Sequence, residues 1–107
     1  MKRIENLLKR LWEKKKEFDG NIIDSVAQVL NEEKIFDVVK NHSNIEERLS
    51  EFELKAREEE RLSLRYYDLE EIIEDDVKVR IGKAEVVYIC SYSYGYFHFQ
   101  LKSIKFN

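Results

Sequence analysis

Residues 77–107 read VKVRIGKAEVVYICSYSYGYFHFQLKSIKFN, a run in which apolar and polar side chains alternate. A period of two is typical of β-strands that bury one face. Gly82 can supply the positive φ that the first position of a type II′ turn requires. We therefore expect a two-residue hairpin at Gly82 and Lys83, within a three-stranded antiparallel meander.

One pairing register places the apolar side chains of both hairpins on a single face. With a loop at residues 93–96, it predicts the pairs Ile81–Ala84, Val79–Val86, Val77–Tyr88, Tyr92–Phe97, Cys90–Phe99 and Tyr88–Leu101. A slip of one residue would turn all of these side chains to the opposite face, so the register is strongly specified. Beyond Leu101 the apolar positions shift, which indicates a β-bulge near Lys102 and Ser103.

The first 76 residues predict helices. Amphipathic spacing indicates a first helix that ends at Asp19-Gly20-Asn21 and a second that is kinked or broken at residues 31–34. Ser43 to Glu46 has the form of a capping box and starts a third helix, which extends to about residue 62. A short fourth helix is predicted at residues 68–74, and residues 62–67 fit either strand or helix.

These elements predict an α+β fold with three or four N-terminal helices on one face of a C-terminal three-stranded antiparallel β-meander. Helices must cover the apolar face because isolated hairpins are only marginally stable in water. A chain of 107 residues suits one domain. We expect residues 1–76 to form its helical part and residues 77–107 its sheet.

The composition narrows the class of protein. No run of eighteen apolar residues is present, so we expect neither a membrane span nor a membrane partner. The N-terminus lacks the apolar core of a secretory signal, and a single cysteine fits a reducing compartment, so we expect a cytoplasmic protein. Many residues have A/T-rich codons, which suggests a low-GC bacterium or its phage.

An acidic run is the first candidate binding surface. It holds six carboxylates and no basic residue: Asp68, Glu70, Glu71, Glu74, Asp75 and Asp76. Such a run is usually the solvated face of a helix. The alternative is phosphate mimicry, in which the carboxylates occupy a basic groove that normally holds nucleic acid, and such binding weakens with salt.

A tyrosine-rich tract, Tyr92-Ser93-Tyr94-Gly95-Tyr96, is the second candidate. Tyrosine brings a large and rigid contact area at a low cost in conformational entropy, and it is common in interface hot spots. We expect Tyr92 in the core. Tyr94 and Tyr96 either bind a protein partner or merely flank a turn.

The basic first helix supports a different function. Its cationic side chains could follow a nucleic-acid backbone while aromatic side chains stack on bases. The residues concerned are Lys9, Arg10, Lys14, Lys15 and Lys16. The net charge of −3 argues against long-range attraction of nucleic acid. The simpler alternative is a basic face that balances the acidic middle of the chain.

Catalytic and metal chemistry have little support in the sequence. His42, His98 and Cys90 lie in different predicted elements, so we expect neither a metal site nor a cofactor. Cys90 faces inward as a small buried apolar residue. His98 faces outward beside Tyr96 and could act as the general acid of a small ribonuclease toxin, but no second acid or base is aligned with it.

The sequence therefore predicts a non-enzymatic protein that binds another protein. We expect an inhibitor or regulator from a phage or mobile element that blocks a nucleic-acid-binding host enzyme, as anti-CRISPR proteins do; no family motif supports this analogy. The alternatives are a nucleic-acid-binding regulator and a small ribonuclease toxin. A homodimer is possible because the third helix carries the heptad-like stripe Ile45, Leu49, Phe52 and Ala56.

Overall fold

A computed structural model of the chain describes residues 2–18, 25–64 and 72–107. The elements that it contains are α1 (Lys2–Phe18), α2 (Ser25–His42), α3 (Ile45–Leu64), β1 (Ile73–Ile81), β2 (Ala84–Ser93) and β3 (Tyr96–Phe106). The strands form one antiparallel sheet in the order β1-β2-β3. The predicted α+β class and the β-meander are confirmed.

The sheet has the predicted register in both hairpins. Leu101 pairs with Tyr88 and Ser103 with Val87, so Lys102 is the extra residue of a bulge, as the shift in apolar positions indicated. Gly82 has a φ of 60°, and Lys83 is not among the positive-φ residues, which fits a type II′ turn.

The predicted fourth helix is wrong over its last residues. Ile73 and Glu74 belong to β1, where they pair with Tyr92 and Ser91, so the sheet starts four residues earlier than expected. Pairing with β2 outweighs the local helical signal. Residues 68–71 of this prediction lie outside the described residues, as do residues 65–67, whereas residues 62–64 belong to α3.

Two predictions about the helices also need correction. The break expected as one alternative at residues 31–34 is absent, because α2 is continuous through them, and the alternative of a kink stays a prediction. Asn31 is buried and donates from Nδ2 to the Leu11 carbonyl oxygen at 2.7 Å, so this polar side chain lies on the packed face of α2. Ser43 accepts from the N–H of Ile45 and not from that of Glu46, so the capping box is not formed as predicted.

The core lies between the helices and one face of the sheet. Its buried helical residues are Leu8, Ile35, Val39, Ile45 and Leu49, and its buried strand residues are Val77, Val79, Ile81, Ala84, Val86, Tyr88, Cys90, Leu101 and Ile104. The stripe that suggested a homodimer is therefore used inside the chain: Ile45, Leu49 and Ala56 are buried, and Phe52 packs against Phe97. No described helix is long and apolar enough to cross a bilayer.

Candidate functional site

The turn between β2 and β3 holds an aromatic side chain in an unusual backbone conformation. Tyr94 and Gly95 have φ values of 51° and 82°, the combination that defines a type I′ turn. Asparagine and glycine usually fill the first of these positions, whereas the left-handed conformation costs a bulky residue about 1–2 kcal/mol. An aromatic residue at Tyr94 therefore does not optimise the turn itself.

Both candidate tyrosines are presented to solvent. Tyr94 is 67% exposed and Tyr96 is 78% exposed. Gly95 donates its N–H to Glu60 Oε2 at 3.4 Å, so the end of α3 braces the turn from which these side chains project. Tyrosines displayed in this way are suited to contact with another macromolecule, because they bring rigid apolar area without requiring the chain to order on binding.

The strand β1 divides the described half of the acidic run. Glu74 and Asp76 point to the outer face of the sheet, away from the helices, while Asp75 points to the helical side. Asp76 forms an ion pair with Lys102 at 2.9 Å. Asp75 lines a cavity of about 150 Å³ with Arg48, Glu51 and Lys55 of α3, so it has neighbours of both charges on the helical side. Asp68, Glu70 and Glu71 lie outside the described residues.

Of the acidic run, one described carboxylate on the outer face remains available to contact a partner. Among the described residues, Glu74 is exposed and makes no ion pair. It lies two residues into β1, at the end of the sheet that carries the β2–β3 turn, because Ile73 pairs with Tyr92.

Sequence reasoning missed an exposed apolar residue at this end, Ile72, which directly precedes β1. A large apolar residue next to an acidic run was the available signal for it. We call the set Ile72, Glu74, Tyr94 and Tyr96 the tip surface. Leu62 of α3 is also exposed, but it lies two residues beyond Glu60, and residues at this spacing face different sides of a helix, so it is not part of this set.

The basic residues of α1 do not form one patch. Lys15 forms an ion pair with Glu32 of α2 at 3.5 Å and lies 5.4 Å from the centre of the Trp12 ring. Lys16 lies 5.3 Å from the same ring, whereas Lys9, Arg10 and Lys14 are exposed. Acidic Glu13 and Glu17 are also exposed on this helix. The packing of α1 on α2 thus removes part of the predicted nucleic-acid surface.

The histidine and the cysteine differ in what they can do. His98 is exposed on the outer face and lies opposite Ser91. Cys90 is fully buried, and this burial, with a smaller effect of Asp75 and Asp76, raises its pKa to about 11. Since the thiolate is the reactive form, Cys90 is poorly suited to nucleophilic chemistry at neutral pH. The described residues hold no group of metal-ligating side chains.

Comparisons with known proteins do not assign this chain to a family. The chain matches no protein-family model, no curated protein and no solved structure. Any function must therefore be argued from the surfaces that the fold creates.

Proposed function

We propose that this protein acts by binding another protein through the tip surface. The observation that carries the proposal is the exposed pair Tyr94 and Tyr96 on a turn braced by Glu60. Interface hot spots are rich in tyrosine and combine apolar area with a few polar groups. Ile72 adds apolar area at the same end of the molecule, and Glu74 adds one charge.

Within this class, we propose an inhibitor of a nucleic-acid-binding enzyme, the role that anti-CRISPR proteins fill. A basic nucleic-acid groove complements the exposed Glu74 carboxylate, which lies on the outer face of the tip surface. Charge complementarity of this kind raises the association rate and selects the partner, while buried aromatic area supplies most of the affinity.

The test is an affinity capture from lysate of a low-GC bacterium, with and without nuclease, eluted in a salt gradient. The bait is compared with a Tyr94→Ala/Tyr96→Ala variant. We expect the wild-type chain to retain a stoichiometric protein after nuclease treatment and the double variant to lose it. Leu54→Ala is the matched control, because Leu54 is an equally exposed apolar residue away from the tip surface.

The same experiment distinguishes the proposed inhibitor from the main alternative, a nucleic-acid-binding regulator. Recovery of nucleic acid alone, sensitive to nuclease and salt, would support a nucleic-acid-binding regulator and contradict the inhibitor. The variant Lys9→Glu/Lys14→Glu/Lys16→Glu should then abolish that recovery, since it removes exposed charges and leaves the Lys15–Glu32 ion pair in place. An inhibitor that uses the tip surface should retain its partner in this variant.

A further inference from the structure

A second surface lies between α2 and the edge of the sheet. A cavity of about 310 Å³ has an aromatic floor formed by Phe36, Tyr88 and Phe99. The ring centres of Phe36 and Phe99 are 5.3 Å apart, and those of Tyr88 and Phe99 are 5.8 Å apart. Gln100 also lines the cavity although its side chain alternates to the other face, so the cavity reaches the edge of β3. We call it the α2–β3 groove.

The rim of the α2–β3 groove is acidic. Glu32, Glu33 and Asp37 of α2 line it. Glu32 is paired with Lys15 at 3.5 Å, whereas Glu33 and Asp37 are exposed and have no ion-pair partner among the described residues. Three carboxylates beside three aromatic rings favour a cation, because ring faces and carboxylates both attract positive charge.

The floor contains a polar atom that has no partner. Tyr88 is 2% exposed, and its hydroxyl is buried without a hydrogen bond in the part of the chain that the structure describes. Burial and the nearby charge of Glu32 raise the pKa of Tyr88 well above its usual range, so the hydroxyl stays protonated. An unpaired buried hydroxyl is destabilising, and a donor or acceptor that enters the groove would satisfy it.

The adjoining edge of β3 is open. Ser93 and Tyr96 flank a two-residue turn and are therefore a hydrogen-bonded pair, after which bonded and non-bonded pairs alternate. Phe97, Phe99 and Leu101 thus direct their backbone N–H and C=O groups away from β2. No described residue forms a hydrogen bond with these groups. An extended chain can pair with such an edge and add a fourth strand.

We infer that the α2–β3 groove binds an extended segment of a partner protein, which pairs with β3 and places a lysine or arginine side chain between the aromatic floor and the acidic rim. In an added strand, alternate side chains face the helical side and enter the groove. The aliphatic stem of a basic side chain packs on the rings while its charged end reaches Glu33, Asp37 and the Tyr88 hydroxyl.

Charge distinguishes this occupant from a second copy of the same chain. Pairing of two β3 edges about a two-fold axis would bring two acidic rims towards each other, and like charges at an interface are repulsive. A basic segment has the opposite sign. The inference is independent of the tip surface, because no side chain of that set lines the groove.

The test is an NMR titration of the 15N-labelled full chain with the blocked peptide Thr-Val-Lys-Val-Thr. We expect saturable shifts of the Phe97, Phe99 and Leu101 amides at about millimolar peptide, an affinity typical of a single short strand. A matched peptide with norleucine in place of lysine keeps the stem and loses the charge, and should bind about tenfold more weakly. A peptide N-methylated on the alternate amides that would pair with β3 should not bind.

Two variants test the groove itself. Glu33→Gln/Asp37→Asn should weaken binding of the lysine peptide about tenfold, whereas the matched change Glu13→Gln/Glu17→Gln on α1 should leave it unchanged. Tyr88→Phe keeps the ring and removes the hydroxyl, and should weaken binding severalfold while the spectrum stays folded.

Several outcomes would overturn the inference. These are equal affinity for the lysine and norleucine peptides, binding of the N-methylated peptide, or absence of shifts at Phe97, Phe99 and Leu101. Shifts of the same amides on dilution of the protein alone would assign the edge to a second copy instead. Tyr94→Ala/Tyr96→Ala should bind the peptide normally, so failure of the proposed function and failure of this inference give different results.

Discussion

The two edge strands of the sheet, β1 and β3, differ in how well their outward-facing backbone groups are protected. At the β1 edge, the Arg48 guanidinium donates to the Lys78 carbonyl oxygen, and the Asp75 carboxylate accepts from the Asp76 N–H at 2.8 Å. The turn that follows β1 is tied to α1, because Glu5 Oε1 accepts from the Lys83 N–H at 2.6 Å. Charged side chains and capped backbone groups are common protections against unwanted strand pairing.

Strand β3 is protected only in its second half. The bulge at Lys102 and the charge of Lys105 interrupt the edge there, while residues 96–101 contain His98 as their single ionisable side chain other than tyrosine. The unprotected half borders both the tip surface and the α2–β3 groove. Binding is therefore expected on the β3 side, where the fold leaves backbone and aromatic groups available.

The largest expected effect concerns the turn at the protected edge. In Gly82→Ala the new Cβ would collide with the Glu5 carboxylate, at a position whose φ of 60° is already unfavourable for alanine. The backbone cost of about 1–2 kcal/mol adds to about 1 kcal/mol for a weakened Glu5–Lys83 hydrogen bond. We expect the free energy of unfolding to fall by about 2–3 kcal/mol in urea denaturation.

Gly95→Ala is the control at the unprotected turn. Gly95 also has a positive φ, of 82°, but no atom lies within 4 Å of an added Cβ. Only the backbone cost of about 1–2 kcal/mol applies. Equal destabilisation by the two substitutions would contradict the idea that Glu5 secures the β1 side.

The next largest effect is a pH dependence of the free energy of unfolding. It arises from the thiol of Cys90, which lies between Asp75 of β1 and Phe99 of β3. Its pKa rises from 9.0 to about 11 in the folded chain. Between these pH values the unfolded chain loses the thiol proton and the folded chain keeps it, so stability falls as pH rises. At about 1.4 kcal/mol per pH unit, we expect a loss of about 2 kcal/mol from pH 9 to 11.

The measurement is urea denaturation of the wild type and Cys90→Ala at pH 8, 9, 10 and 11. The difference between the two proteins isolates the thiol from lysine and tyrosine titration. The wild type should lose more stability over this range than the variant. Parallel curves would show that Cys90 titrates alike in the folded and unfolded chains.

The sequence was sufficient for most of the sheet. Alternation over residues 77–107, a glycine at the first turn and a shift near Lys102 determine a register by local rules, and the structure has that register. The start of β1 was missed because Glu74, Asp75 and Asp76 are poor strand formers. Their pairing depends on β2, which supplies the partners Ser91, Cys90 and Ile89.

The candidate surfaces were less predictable because they depend on contacts between elements. Tyr94 and Tyr96 could be located from the turn signal alone. The α2–β3 groove could not, since Tyr88 and Phe99 fit core positions and Glu33 fits a solvated helix face. Only the placement of α2 beside β3 makes one site of them. The burial of Asn31 likewise depends on a contact between elements, because its side chain donates to the Leu11 carbonyl oxygen of α1.

A smaller effect is expected from opening the β1 edge. Arg48→Ala removes the charged donor to the Lys78 carbonyl, and should lower the free energy of unfolding by about 1 kcal/mol, since the contact is partly solvated. Arg57→Ala is the matched control: Arg57 lies on the same helix and forms an exposed ion pair with Glu53 at 3.1 Å. Urea denaturation should show a change of about 0.3–0.5 kcal/mol for this control. An equal loss in both variants would mean that the β1 edge is not specially secured.

The smallest expected effect concerns an ion pair between the two edge strands. Lys102, the bulged residue of β3, reaches over β2 to Asp76 of β1, and the ion pair is 2.9 Å long. Both side chains are partly exposed, so a double-mutant cycle with Asp76→Asn and Lys102→Ala should give a coupling of about 0.5 kcal/mol. The coupling should decrease in 1 M salt, where the Debye length is about 3 Å. A salt-independent coupling would instead assign the role of Lys102 to packing of its stem over the outer face, where Val87 is buried.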